Sequence, residues 1–363
     1  MSSRFRHMSV AALAFAGVLG GALAVQAQTL TPVPGCGEKA ATDPKVPGAG
    51  PARCEPGSPP PKPLPAKTTL RFGTLSQSAE YFAPIAIGLA KGEFAKENLE
   101  LEVQVVPASD AYQLMAQERL DMHWTSPDAA FHNAVSQGFE LTWALANFSP
   151  SPAGKSGLWA LKGTTPASLK GQIVGSVVGP GAVTLLPISQ ALAVGGLKAS
   201  DVTLQRMDGA SLILALRNKA IGAAWLLDPV WVQIANDPEF VLLKAQPTGE
   251  SLGGAIFGPS LTKKNHAAGV AFARAYIRII NTYFAGDYKA DPAFVQELAT
   301  VLKVPATVLT AVPSNIWEWE IREGTSARMQ AIWQETKSST YKDPLPESRV
   351  VDRSFYQEAV GRK

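Results

Sequence analysis

The stretch covering residues 81–130 constrains the fold most, because helical and extended patterns alternate along it. Pro84 predicts the start of a helix and Gly92 its end, since a glycine after the last turn readily adopts a positive φ. Residues 99–105 alternate apolar and polar side chains, which predicts a half-buried strand near a sheet edge. A further helix and a strand at residues 120–125 follow. This order is typical of parallel strands covered by helices.

The same alternation restarts near residue 165, which indicates a second α/β unit. In both units a strand is followed by an acidic residue beside a proline, as in Ser126-Pro127-Asp128 and Asp228-Pro229. Ser126 and Asp228 are interpreted as helix caps. A strand at residues 255–257 is expected to return to the first unit. The other predicted strands are 69–74, 139–146, 172–178, 202–207 and 223–227, and further helices are predicted to begin at Ser109 or Asp110, at residues 179–182, at Ala210 and at Ala271.

The first 27 residues have the pattern of a secretion signal. Arg4 and Arg6 precede an apolar run over residues 8–24 that is too short and too rich in glycine for a comfortable membrane span. Cleavage is expected after Ala27, with a site three residues earlier as the alternative. An uncleaved anchor is the other interpretation. The mature protein is therefore expected in the periplasm.

Residues 28–67 hold eleven of the 28 prolines and almost no large apolar side chain. Proline fixes φ and lacks an N–H donor, so this segment is predicted to be an extended linker rather than part of a sheet. The two cysteines of the chain, Cys36 and Cys54, both lie in it. They are predicted to form a disulfide outside the cytoplasm, with lipidation of Cys36 as the alternative.

Six blocks of sequence carry a family resemblance. The most specific is G-L-A-K-G-E-F-A-K-E-N-L-E-L-E-V at residues 88–103. The others are L-D-M-H-W-T-S-P-D (120–128), S-P-S-P-A-G (149–154), L-K-G-Q-I-V-G (169–175), L-L-D-P (226–229) and V-V-D-R-S-F (350–355). In this order they resemble the extracytoplasmic solute-binding proteins of ABC importers, in the group that binds alkanesulfonates, taurine, nitrate and thiamine-pyrimidine precursors. The resemblance covers residues 68–359.

The resemblance implies an α/β, two-lobed periplasmic-binding-protein fold of type 2, with parallel-rich sheets flanked by helices and two hinge crossings. Lobe I is expected to comprise residues 68–162 and 255–363, and lobe II residues 163–254. A small solute would bind in the cleft between the lobes, which would close on it. An ABC permease would dock on the lobe faces. We expect a monomer that needs no cofactor or metal.

Four loops are expected to face the cleft, since open α/β sheets bind ligands beyond the carboxyl ends of their strands. Helix starts near Ser126 and Gly181 would offer free N–H groups to a sulfonate, nitrate or carboxylate. Each candidate also has a structural interpretation: Ser126 and Asp228 as caps, and Asp128 as a first-turn acid. The candidate ligand-binding residues are Ser76, Glu80, Tyr81, Thr125, Ser126, Asp128, Gly181, Ala182, Thr184 and Asp228.

Charge limits the partners and the ligand. The formal net charge is +3 and no basic cluster occurs, so nucleic acid is not expected as a partner. No arginine lies in the four loops, although a divalent anion would normally bind to an arginine fork. Two ligand classes therefore stay open: a monoanion held by helix N-termini, and an uncharged or amine-bearing heterocycle stacked on Tyr81 and paired to a carboxylate.

Because the sequence departs from the family pattern at three positions, the identity of its ligand cannot be inferred from that of any relative. Glu118, Gly222 and Leu227 stand where the family often has a glycine, an acid and an aromatic residue. An enzyme of the pyrimidine-synthase type is disfavoured, because its chemistry uses a cysteine-rich motif and both cysteines here lie in the linker. His123 and His132 are expected to be packed or on the surface rather than metal ligands. A periplasmic sensor that binds the same solute is the third interpretation.

Overall fold

The computed structural model describes residues 58–361. The predicted signal sequence and the predicted disulfide between Cys36 and Cys54 lie outside these residues. Within residues 58–361, no helix combines the length and the apolar character needed to cross a bilayer.

The described residues form a mixed α/β structure, and the element boundaries lie within a few residues of most predicted ones. The strands are β1 (Thr68–Thr74), β2 (Leu99–Val105), β3 (Met122–Thr125), β4 (Thr142–Ala146), β5 (Phe148–Ser149), β6 (Gly157–Leu161), β7 (Ile173–Ser176), β8 (Thr203–Arg206), β9 (Ala223–Leu226), β10 (Phe240–Ala245), β11 (Gly254–Phe257) and β12 (Ile316–Trp317). The α-helices are α1 (Ala83–Ala90), α2 (Ala108–Ala116), α3 (Ala129–Ser136), α4 (Leu185–Ala193), α5 (Gly209–Arg217), α6 (His266–Tyr283), α7 (Pro292–Leu302), α8 (Ala306–Thr310), α9 (Thr325–Glu335), α10 (Glu347–Val350) and α11 (Ser354–Ala359).

Two five-stranded sheets share one internal plan. The first has the order β2-β1-β3-β11-β4, with β1 parallel to β2 and β3 and with β11 antiparallel to β3 and β4. The second has the order β8-β7-β9-β6-β10, with β7 parallel to β8 and β9 and with β6 antiparallel to β9 and β10. The predicted α/β fold with parallel-rich sheets is confirmed, as are the edge position of β2 and the return of the chain through β11.

The chain crosses between the two sheets at residues 150–156 and 246–253. The first crossing was predicted later in the chain, with lobe II starting at residue 163. The structure places β6 in the second sheet already, because its backbone pairs with β9 and β10. A short ladder between β5 and β12 lies beside these crossings.

The predicted helix start at Ala271 is five residues late, because α6 begins at His266. Three predicted helix starts that follow strands are also wrong. The cap of α3 is Asp128, whose carboxylate accepts from Phe131 N, whereas Ser126 lies two residues upstream of it. Residues 179–184 form turns, and α4 begins only at Leu185. A single 3₁₀ turn, rather than a capped α-helix, follows Asp228. In each case, the turn chemistry of a proline beside polar or glycine residues delays the first helical hydrogen bond.

A buried ion cluster lies between α6 and the segment that follows α1. It consists of two glutamates and two arginines, Glu93, Glu97, Arg274 and Arg278, of which the most exposed is Arg274 at 8%. The carboxylates and guanidiniums are matched in number. The arginines donate to both oxygens of Glu97 and to Glu93 Oε2, and Lys96 and Tyr283 donate to Glu93 Oε1. Both glutamates belong to the block at residues 88–103, so the cluster accounts for these two acidic positions of that block.

The last part of the predicted linker is fixed to this cluster. Leu64 N donates to Glu97 O at 3.0 Å, and Lys62 N donates to Glu97 Oε2 at 3.1 Å. Arg274 Nη2 in turn donates to Lys62 O at 2.8 Å. Residues 58–67 form no strand, as predicted for a linker, but they are attached to the folded chain because proline-rich backbone still offers carbonyl acceptors to buried arginines.

Candidate functional site

A cavity of about 500 Å³ lies between the two sheets. It is bounded by the loops that follow β1, β3, β7 and β9, so it lies beyond the carboxyl ends of the parallel strands of both sheets. Its lining residues are Leu75, Ala79, Glu80, Tyr81, Ala108, Thr125, Ser126, Asp128, Asn147, Phe148, Pro150, Ser156, Val178, Ala182, Val183, Thr184, Leu227, Asp228, Gln246, Leu252, Gly253 and Asn315.

The structure brings most of the predicted candidates together around this cavity. Ser76 and Gly181 do not line it. Ser76 Oγ instead accepts from Ser78 N within its own turn, and Gly181 O accepts from Ala129 N at the start of α3. The eight candidates in the lining are Glu80, Tyr81, Thr125, Ser126, Asp128, Ala182, Thr184 and Asp228.

Asp128 occupies the N-terminus of α3 with its own carboxylate. Asp128 Oδ1 accepts from Phe131 N at 2.9 Å and from Tyr112 OH at 3.2 Å. Burial raises the pKa of Asp128, and these hydrogen bonds lower it by a smaller amount. The anion site that the sequence suggests near Ser126 is therefore filled by a residue of the chain itself.

Asp228 is held through one of its two oxygens. Asp228 Oδ1 accepts from Ser156 Oγ at 3.0 Å and from Trp231 Nε1. Both donors fix the orientation of the carboxylate at the cavity wall. Among the described residues, no group donates to Oδ2, so this oxygen is available to a ligand.

Glu80 lies in the lining but is already neutralised. Lys289 Nζ lies 2.8 Å from Glu80 Oε1 and 2.9 Å from Oε2, and its side chain is only 5% exposed. Tyr288 OH donates to Oε1 at 2.6 Å. Burial together with the neighbouring Glu80 charge raises the pKa of Tyr288 well above its usual value. Glu80 therefore ties the first loop to the segment after α6.

The aromatic and histidine candidates divide into lining and core. Tyr81 is half-buried in the lining, and burial raises the pKa of its hydroxyl. Trp124 is fully buried, with its Nε1 donating to Tyr81 O at 2.8 Å. His123 and His132 are also fully buried and do not line the cavity, as the packed interpretation expects.

The lining also includes residues that were not predicted, from the two crossing segments, their flanks and the residue before β12. Asn147 Oδ1 accepts from Phe148 N and Ser251 Oγ, so Asn147 Nδ2 is the group of this lining residue that can donate. The block at residues 149–154 was the available signal, because it marks a crossing next to the cleft. The missed polar residues are Asn147, Ser156, Gln246 and Asn315, and the missed apolar residues of these segments are Phe148, Pro150 and Leu252.

Hydrogen bonds also join the loop at residues 179–184 to elements on the first sheet's side. Ala129 N donates to Gly181 O at 2.9 Å, and Trp333 Nε1 donates to Ala182 O at 3.4 Å. Close by, Ser338 Oγ donates to Pro180 O at 3.3 Å. The cavity is therefore bounded by the crossings on one side and by these contacts on another.

The sequence model of the "NMT1/THI5 like" family matches residues 79–246. A search of curated proteins found no significant match. Three similar solved structures illustrate the range of the fold. A putative sulfonate ABC transporter's periplasmic sulfonate-binding protein from Methylobacillus flagellatus KT has a TM-score of 0.64 at 13% identity, covering 82% of this chain and 95% of that chain.

The periplasmic nitrate-binding protein NrtA from Synechocystis PCC 6803 has a TM-score of 0.53 at 13% identity, covering 83% of this chain and 90% of that chain. The DszB protein in complex with biphenyl-2-sulfinic acid, described elsewhere as a desulfurization enzyme, has a TM-score of 0.52 at 10% identity, covering 82% of this chain and 100% of that chain. At these identities the similarity establishes a shared two-lobed fold.

Proposed function

Because residues 79–246 match the NMT1/THI5-like family in a chain with the fold of periplasmic solute-binding proteins, we propose that this protein is the extracytoplasmic solute-binding component of an ABC importer. The observation that supports this most is the 500 Å³ cavity between two α/β sheets, with both chain crossings in its wall. Two lobes joined by two crossings can close around a solute by hinge motion. A membrane permease would receive the solute, and the N-terminal signal would place the protein in the periplasm.

The solute proposed from the sequence is sulfonate-, nitrate- or carboxylate-like. The sulfonate, nitrate and sulfinate named for the structural neighbours support that size class. A heterocycle resembling a thiamine precursor is the alternative, supported by Tyr81 and the carboxylates of the lining. The eight lining candidates, together with Asn147 and Ser156, are proposed as the residues that contact the solute.

We further propose that binding occurs without turnover. His123 and His132 are buried outside the lining, and burial lowers the pKa of each to about 4, so neither can act as a general base on a bound solute. The fold does include an enzyme among its members, so turnover has to be measured rather than assumed.

Thermal-shift screening of the mature protein against small sulfonates, nitrate, carboxylates, amines and pyrimidines tests the proposal. A ligand of the folded state raises the unfolding temperature, because binding adds RT ln(1 + [L]/Kd) to the stability. Calorimetry on each hit should give one site per chain. Absence of any stabilising solute, together with product formation from one of them, would overturn the proposed function.

A sensor protein would give the same binding results. The two roles separate in cells, because deleting an importer component abolishes uptake of the radiolabelled solute. A sensor component would leave uptake intact and change gene expression instead.

A further inference from the structure

The side chains that line the cavity carry negative charge and no positive charge. Within the described part of the chain, Glu80, Asp128 and Asp228 are the charged residues of the lining, and neither arginine nor lysine is among them. Lys289 offsets Glu80 from behind the wall, which leaves two carboxylates without a cationic partner.

Helix N-termini do not reverse this balance. The N–H groups at the start of α3 point to the Asp128 carboxylate, so they are not available to a bound anion. The start of α4 has no side-chain cap, but a helix N-terminus carries only roughly half an elementary charge. The carboxylates of Asp128 and Asp228 in the same cavity outweigh it, so the lining disfavours a sulfonate.

Asp228 has the geometry of a receptor for a hydrogen-bond donor. Ser156 and Trp231 fix its Oδ1, and its Oδ2 has no donor among the described residues. The orientation is therefore set before a ligand arrives, which reduces the entropy lost on binding. Thr184 Oγ1, a buried atom of a second lining residue, also has no hydrogen-bond partner among the described residues.

The remaining wall is apolar and aromatic. It is formed by the rings of Tyr81 and Phe148 and by aliphatic side chains that include Val178, Leu227 and Leu252. Tyr and Phe faces attract cations through their quadrupoles, whereas they offer no stabilisation to an anion.

We propose that the cleft binds an organic ammonium compound with an apolar or aromatic body, whose N–H donates to Asp228 Oδ2 while its body packs against Tyr81 and Phe148. Asp128 adds a second negative charge to the same cavity. This inference rests on the proposed function and names the ligand class of the same site. Asp228 is the residue that determines specificity.

Two matched probe series test the charge preference. The first contains benzylammonium, 2-phenylethylammonium and 4-phenylbutylammonium, and the second contains sulfonates on the same carbon skeletons. Calorimetry on the mature protein should give dissociation constants at least tenfold lower for the best ammonium probe than for its sulfonate match. A sulfonate that binds more tightly than its ammonium match overturns the inference, and so does the failure of both series to bind.

Two substitutions assign the effect to Asp228. Asp228→Asn keeps the acceptor for Ser156 and Trp231, and it should weaken ammonium binding tenfold or more. Leu227→Lys adds a cation to the wall and should reverse the preference towards the sulfonate. Asp208→Asn is the matched control, because Asp208 caps α5 outside the cavity and asparagine is an equally good cap. Ammonium binding that is unchanged in both lining variants contradicts the assignment.

The outcomes separate this inference from the proposed function. If an anion binds in the broad screen and the ammonium probes bind weakly, the proposed solute-binding function stands and the ammonium ligand class is overturned. A screen without any stabilising solute, together with product formation from one of them, would remove both.

Discussion

Arg278 Nε donates to Glu93 Oε2 at 2.7 Å, although the two residues are 185 positions apart in the sequence. The same guanidinium reaches Glu97 Oε1 through Nη1 at 2.7 Å, and both glutamates are almost fully buried. Burial tends to raise the pKa of Glu93, but the hydrogen bonds from Arg278, Lys96 and Tyr283 lower it overall. The cluster therefore joins α6 to the segment after α1 through buried ion pairs, in which each charge compensates the burial of the other.

Removing Arg278 should be strongly destabilising. Arg278→Met leaves Glu93 without its buried guanidinium partner and Glu97 with one of two, and breaking such a pair costs about 3–5 kcal/mol. Urea unfolding followed by circular dichroism measures the loss. Arg217→Met is the control, since Arg217 is 41% exposed and pairs with Asp237 and Glu239 at the surface, where about 1 kcal/mol or less is expected. Equal losses in both variants would contradict the role given to the buried cluster.

Acid should destabilise the protein through two buried histidines. Burial lowers the pKa of His123 and His132 from 6.5 to about 4, so the unfolded chain binds more protons than the folded one between these values. Stability is therefore present above pH 6.5 and falls as the pH drops towards 4, by about 3 kcal/mol for each histidine.

The free energy of unfolding measured from pH 7 to pH 4 tests this histidine effect. His132→Gln should flatten the decline, because glutamine binds no proton when the chain unfolds. His266→Gln serves as the control, since the His266 side chain is 39% exposed. A decline of the same slope in the His132 variant would show that other groups cause the acid sensitivity.

Gly88 should not tolerate a side chain. A Cβ there would lie 2.7 Å from Phe94 Cε2 and would also collide with Ile279 Cδ1, between α1 and α6. We expect Gly88→Ala to cost about 1–3 kcal/mol through overpacking, despite the better helix propensity of alanine. Gly179→Ala is the matched control, because a Cβ at Gly179 meets no atom within 4 Å. Thermal unfolding compares the two variants. An unchanged unfolding temperature for Gly88→Ala would show that α1 and α6 can move apart to accommodate the added methyl group.

Hydrogen bonds between the part of the protein around the first sheet and the part around the second should favour a form with the cleft closed. Ser338 Oγ donates to Pro180 O, and Glu335 Oε1 accepts from Ser200 N at 2.9 Å. Each such hydrogen bond contributes about 1 kcal/mol, so the double variant Glu335→Ala, Ser338→Ala should shift the population towards an open form. Small-angle X-ray scattering should then give a larger radius of gyration without ligand.

Glu297→Ala provides the control for this scattering experiment, since it removes a surface pair with Lys91 that joins α1 and α7 on one side of the cleft. It should leave the radius of gyration unchanged. An unchanged radius in the double variant as well would indicate that other contacts hold the lobes.

The sequence by itself determined the architecture. The alternation in residues 99–105 predicted an edge strand, and β2 is one, because the period of two follows from the pleat of any strand. The repeated β/α order predicted parallel-rich sheets for the same local reason. The loops after the strands could also be named in advance, so most candidate residues do line one cavity.

Only the tertiary structure decided which polar groups form hydrogen bonds and ion pairs with each other. Asp128, rather than Ser126, caps α3, and Lys289 neutralises Glu80 across 209 positions. Arginines of α6 donate to the carbonyls of Pro59 and Lys62, in a segment that was predicted to be a linker. Local patterns report the periodicity of burial, but charge pairing depends on distances between elements that are remote in sequence. For that reason the fold followed from the sequence, whereas the charge of the cleft, on which the proposed ligand class rests, required the assembled structure.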